Sequence, residues 1–226
     1  MKVGETQFFC EKRGRTLGLA LSLLLLEFSA ASDLQAADTP SESSLTLTFV
    51  SAQGVDHNLK EIPIEIITAD VDWDNTHFSG LSLDRNFGSF ASRFDQLQDN
   101  PFGQISQGVE LVALKHRGLQ QNVELGLAYK LNTPVWRVAW LEGEAALGLG
   151  LSHAFSEPSY EDGPLDNPDK RYRTQLLVFF DTRWRLSAYP RYSILFRVHH
   201  RSGAYGVIAP RNVGSNFLAL GLGYDF

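Results

Sequence analysis

The chain has 226 residues, a formal net charge of −6 at pH 7 and a single cysteine. An acidic balance argues against a nucleic-acid partner, and one thiol excludes an internal disulfide framework and any multi-cysteine metal site.

Lys12, Arg13 and Arg15 precede an apolar run from Leu17 to Leu26, which is followed by the small-residue stretches "SAAS" and "LQAAD". This is the pattern of a secretory signal peptide. Residues 1–36 are assigned to it, with cleavage after Ala36 and with Ala31 and Ala37 as alternative sites. Such a run is too short to span a bilayer, which takes about 20 residues. Cys10 lies upstream of the run and leaves with the leader, so the mature protein is expected to hold no thiol. The leader carries Lys2, Lys12, Arg13 and Arg15 against Glu5, Glu11, Glu27 and Asp33. These cancel, and the mature domain, residues 37–226, keeps the whole negative charge.

Three stretches follow in which alternation is visible but register is not: "SLTLTFV" (44–50), "EIPIEIITADV" (61–71) and "THFSGLSLDRNF" (76–87). Two of them are expected to be strands. Asp70, Asp72 and Asp74 alternate like the start of a calcium loop, but the sixth position is Asn75 instead of Gly and the twelfth is Leu81 instead of Glu. That mismatch leaves a strand end or turn as the reading. The stretch from Gly88 to Gln107 is longer than a simple turn requires.

From residue 107 onward a period of two dominates, the mark of strands with two unlike faces. In "NVELGLAYKL", Val123, Leu125, Leu127, Tyr129 and Leu131 oppose Asn122, Glu124, Gly126, Ala128 and Lys130. Strands are expected near 107–116, 120–131, 136–154, 172–187, 191–202 and 214–226. The last, "SNFLALGLGYDF", aligns Leu218, Leu220, Leu222, Tyr224 and Phe226 on one face. It resembles the closing strand of bacterial outer-membrane barrels, whose assembly machinery engages a terminal aromatic such as Phe226. The fold class is therefore all-β, an antiparallel transmembrane β-barrel of eight strands, apolar outside and small or polar inside. Turns at "NTP" (132–134) and "AYP" (188–190) suit the periplasmic rim, and segments 155–171 and 203–214 suit the outer rim. The stretch "EPSYEDGPLDNPDKR" (157–171) reads as a solvated outer loop. A soluble periplasmic β-sandwich is the competing architecture.

"RYSILFRVHHRSGAYG" (191–206) carries the chemistry. Alternation from Tyr192, Ile194, Phe196 and Val198 runs on to His200 and Ser202, which places both on the lipid-facing side, with His199 and Arg201 inward. On the following strand the same face extends back to Asn216. A serine, a base and a group that orients the base can activate a hydroxyl for acyl transfer.

The His-Xaa-Ser of "HHRSG", its distance from the chain end and the eight-stranded outline resemble the outer-membrane lipid A 3-O-deacylases. The resemblance is strongest over residues 173–226. It implies His200 as general base, Ser202 as nucleophile and Asn216 at or near the place of the acidic group that orients the histidine. It further implies lipid A, the anchor of lipopolysaccharide in the outer leaflet, as partner and substrate, the bacterial outer membrane as location, and no metal or organic cofactor. Two residues depart from the pattern: Gly203 stands where Asn follows the serine, and Asn216 replaces a carboxylate. Backbone amides near Gly203 and Ala204 are the candidate oxyanion donors. The alternative is a catalytically inactive structural or lipid-binding barrel. No phosphate loop, dinucleotide fingerprint or zinc spacing is present.

Overall fold

The computed structural model describes residues 35–36, 44–56, 58–91, 101–161, 167, 169–210 and 213–226. The leader to Leu34 lies outside them; Gln35–Ala36 is described as a short strand paired with Trp136–Val138.

Eight long strands follow the alternation of the sequence: β1 (Leu45–Val55), β2 (Trp73–Ser89), β3 (Ser106–Gly118), β4 (Val123–Asn132), β5 (Leu141–Ala154), β6 (Thr174–Leu186), β7 (Tyr192–Ser202) and β8 (Gly214–Asp225). Each pairs antiparallel with its neighbour in sequence, and β8 pairs back onto β1, from Asn216 opposite Val55 to Asp225 opposite Thr46. The sheet is thereby closed and keeps no free edge. Phe226 N–H donates to Leu45 O at 3.0 Å, and Thr46 Oγ1 donates to Asp225 Oδ1 at 2.5 Å.

The two faces are inverted relative to a soluble protein. Outward-facing Phe49, Leu127, Leu149 and Leu222 are 52 to 67% exposed, whereas inward-facing Glu110, Glu124, Lys130, Arg197 and Arg201 are at most 3% exposed. An apolar belt around an ionic lumen is stable only where hydrocarbon replaces water outside. The sandwich reading is overturned by this closure and inversion. No described helix is long and apolar enough to cross a membrane.

Polar and apolar layers fill the lumen. In the middle, Arg197 donates to both Glu110 oxygens (2.6 and 2.9 Å) and to Asp181 (2.7 Å), and its guanidinium lies 3.9 Å from the centre of the Phe179 ring. Lys130 joins it, bonded to Asp84 and 3.5 Å from Glu110. Above it lies an apolar layer of Val112, Leu114, Leu177, Phe179 and Phe217. Gly148 makes room for this layer, because a Cβ there would stand 2.1 Å from the Phe179 ring. Above that, Glu124 bonds His116 (2.9 Å) and His199 (3.2 Å), close to Arg201.

One open choice is settled and one expectation is corrected. Of the three N-terminal stretches, "SLTLTFV" and "THFSGLSLDRNF" are strands, but 61–71 contains a helix, α1 (Ile62–Thr68). Pro63 in its first turn supplies a preset φ and lacks only an N–H that the helix would leave unbonded, and left-handed Ala69 (φ 56°) ends it. Residues 136–154 are not one strand: a turn with Ala139 left-handed (φ 53°) folds Trp136–Val138 back onto β5.

Candidate functional site

The rim opposite the chain ends, here the distal rim, carries the connections 56–72, 119–122, 155–173 and 203–213. β7 rises to it and β8 descends from it. Along β7 the inward residues Ser193, Leu195, Arg197, His199 and Arg201 are all buried. This parity turns His200 and Ser202 outward, and the matching parity of β8 turns Asn216 outward, as the alternation predicts.

Register then brings the pair together. Asn216 stands directly opposite His200 across the β7–β8 ladder, and Val178 flanks His200 on β6. His200 Nδ1 lies 2.7 Å from Asn216 Oδ1. With a carbonyl oxygen accepting, Nδ1 carries the proton and Nε2 is the basic nitrogen of the ring. Both residues are half-buried on the outer surface. An amide fixes the tautomer as a carboxylate would, but stabilises an imidazolium less.

Ser202 follows two residues along the strand, a spacing of about 6.5 to 7 Å. Its Oγ accepts the Ala204 N–H at 3.2 Å. The structure thus joins His200 to Asn216 and Ser202 to Ala204, and no bond links the two pairs among the described residues.

The connection after Ser202 turns within one residue. Gly203 N–H donates to Val213 O at 3.1 Å, and Gly203 O accepts N–H groups from Gly206, Ile208 and Ala209 at 3.0 to 3.3 Å. A Cβ on Gly203 would stand 2.2 Å from Pro210 O and 2.4 Å from Ala209 O. Glycine is therefore required here, and an asparagine would break the turn. Ala204 and Tyr205 are left-handed (φ 53° and 54°). Of the two expected oxyanion donors, the Gly203 amide is committed to Val213, while the Ala204 amide points at the serine hydroxyl.

Behind the strand the lumen holds it rigidly. Arg201, wholly buried, donates to Ser152 Oγ and Arg173 O at 2.8 Å each, and bonds Glu161, which the 155–173 connection lowers into the barrel mouth. Glu161 also accepts from Ser215 Oγ at 3.2 Å and bonds Gln175. These residues escape sequence reading because their partners are far apart in the chain; inward parity on β7 was the one signal available for Arg201. Asp74 of the rejected calcium pattern accepts from the Tyr160 hydroxyl, and no cluster suited to a metal ion occurs among the described residues. Of the expected solvated loop, Pro158 and Glu161 are instead buried, while residues 162–166 and 168 lie outside the described set.

No family model matches the chain, and no curated protein matches it. Solved structures similar to it include the outer membrane enzyme PagL (10% identity, TM-score 0.47, 79% of this chain and 98% of that one). Neisserial surface protein A is 11% identical (TM-score 0.45, 82% and 99%). The N-terminal β-barrel domain of Pseudomonas aeruginosa OprF is 10% identical (TM-score 0.42, 86% and 100%). The closed barrel, with its inverted faces, is that of a protein that spans a membrane with strands.

Proposed function

We propose that this protein is an outer-membrane esterase that hydrolyses the 3-O-linked acyl chain of lipid A. The observation that carries the reading is the His200–Asn216 pair on the lipid-facing surface, with an outward hydroxyl two residues away on the same strand. A base held in one tautomer beside a serine is of little structural use on the apolar face of a barrel, where polar groups cost free energy.

The chemistry runs in two halves. Ser202 Oγ attacks the ester carbonyl as His200 Nε2 takes its proton, and the C–O bond to the sugar breaks as His200 returns that proton to the leaving hydroxyl. Water then attacks the acyl-serine as His200 takes one of its protons; His200 hands that proton to Ser202 Oγ as the acyl C–O bond breaks, and the fatty acid leaves with the other. Asn216 holds the imidazole. Once Ser202 Oγ is acylated it no longer needs the Ala204 N–H, which is then free to face the oxyanion. Neither metal nor organic cofactor enters this sequence.

The test is the mass of lipid A from a laboratory strain expressing the protein, beside Ser202→Ala and His200→Ala. Loss of one 3-hydroxyacyl group with the parent only is the expected result. Unchanged lipid A with all three, each folded in the membrane, would discard the esterase in favour of a non-hydrolytic lipid-binding barrel, the reading favoured by the Ser202 to Ala204 bond.

A further inference from the structure

The outward face of the distal half is apolar or neutral on most strands. Val123 and Leu125 occupy it on β4, Leu149 and Leu151 on β5, Leu176 and Val178 on β6. On β3 it carries Lys115 and then Arg117, both exposed. Among the described strand residues these are its lysine and arginine, and no carboxylate shares that face. Neither cation has a side-chain hydrogen bond or ion pair among the described residues. The inward neighbours of this strand behave differently: Glu110 and His116 are both bonded.

Register extends the cations into a polar strip. Arg117 stands opposite His77 and Lys115 opposite Ser79 on β2, while Gln53 and Ser51 of β1 stand opposite those two residues in turn. β1 is the strand paired with β8, and Val55 lies opposite Asn216. Ser202 on β7 and Arg117 on β3 thus lie in two polar patches of the same rim, with Val55 opposite Asn216 and Leu218 opposite Gln53 between them. Four strand spacings of about 4.8 Å separate the two residues, about 19 Å around the barrel.

Two unpaired cations at the rim of a hydrocarbon belt, on stems long enough to reach the headgroup level, attract anions that are themselves held in the membrane. We propose that Lys115 and Arg117, with His77 beside them, bind a phosphate on the headgroup of an outer-leaflet lipid whose acyl ester lies at Ser202. This rests on the esterase reading and adds a substrate requirement to it. The distance between the cations and Ser202 exceeds a single glycerophosphate, so the headgroup that spans it is a phosphorylated oligosaccharide. The cations position the substrate and take no part in bond breaking.

The test measures lipid retained by the purified barrel in neutral detergent, by native mass spectrometry. The probes are lipid A, its dephosphorylated form and phosphatidylcholine, with inorganic phosphate as competitor. Lys115→Gln/Arg117→Gln is compared with the parent, with Ser202→Ala and with Lys115→Arg. The double variant is expected to hold lipid A about thirtyfold more weakly, while dephosphorylated lipid and phosphatidylcholine bind both proteins alike. Ser202→Ala and Lys115→Arg are expected to retain lipid A as the parent does, which shows that charge and not loss of fold is read. Equal retention of lipid A by parent and double variant overturns the proposal, as does its displacement by millimolar inorganic phosphate. Charge-dependent retention without any hydrolysis would uphold the headgroup site and reject the esterase.

Discussion

A hydrogen bond of 2.7 Å between His200 and Asn216 sets what this site can do and also what limits it. The amide orients the ring, yet it offers no negative charge to the imidazolium that forms as Ser202 gives up its proton. Asn216→Asp supplies that charge at the same register position. The expected outcome is a rise of at least tenfold in the rate of deacylation at saturating substrate with little change in KM, because the added stabilisation exists only once the ring is charged. A rise in KM with no gain in rate would remove Asn216 from the role assigned to it. These three residues were legible in the sequence because period two carries the outward face of β7 and β8 as far as the rim. The bond from Ser202 to Ala204 was not legible, since it depends on left-handed residues 204 and 205, neither of which is a glycine. Gly203 shows the same limit. Its identity is a departure in the sequence, and only the carbonyls of Ala209 and Pro210 crowding its missing side chain give the reason.

At the scale of elements, the connection between β5 and β6 is a plug as well as a loop. Glu161 on it lies outside the spanning strands, yet it is buried against Arg201, Gln175 and Ser215. Burial, opposed by the Arg201 guanidinium and aided by the Glu124 carboxylate, pushes the Glu161 carboxyl up to about 7. A carboxyl raised in the folded state holds its proton more firmly there than in the free chain. Its contribution to docking is therefore present in full below about pH 4.5 and is lost as pH rises through about 7. The segment from Pro158 to Glu161 is expected to exchange its amide hydrogens faster at pH 8 than at pH 5, after correction for intrinsic rates. Glu161→Gln, which mimics the protonated acid, is expected to abolish the difference; identical protection of the parent at both pH values would contradict the assignment. The helix α1 shows why the choice among the three N-terminal stretches stayed open in the sequence. Ile62, Ile64 and Ile66 alternate with Glu61, Pro63 and Glu65, a strand-like pattern, but Pro63 lacks a ladder donor and starts a helix more readily than it continues a strand.

For the molecule as a whole, the lumen supplies what a dry core supplies elsewhere. Arg197 of β7 bonds Glu110 of β3 and Asp181 of β6, so one guanidinium ties strands on facing walls. Arg197→Met strands two carboxylates in a space with few other cations, and the expected cost is about 3 to 5 kcal/mol of folding stability. Urea-induced unfolding in detergent, followed by the shift of the folded band on unheated gels, reads that loss. A midpoint equal to the parent's would show that Lys130, 3.5 Å from Glu110 and 3.9 Å from Asp181, suffices without it. The outline of this architecture was readable from alternation alone, because lipid outside and charge inside demand it. The pairing of charges was not, since Arg197 and Glu110 lie 87 positions apart and no local pattern links them.

The seam between β1 and β8 sets the order of events by which such a molecule comes into being. Thr46 and Asp225, 179 positions apart, meet only after nearly the whole polypeptide has been made, and joining ends so distant is slow compared with forming any hairpin between them. Until then the chain presents two open edges and an uncovered greasy surface to the water it must traverse. The long-lived hazard for this protein is its own unfinished form, and safe passage depends on whatever shields those edges until the final strand arrives.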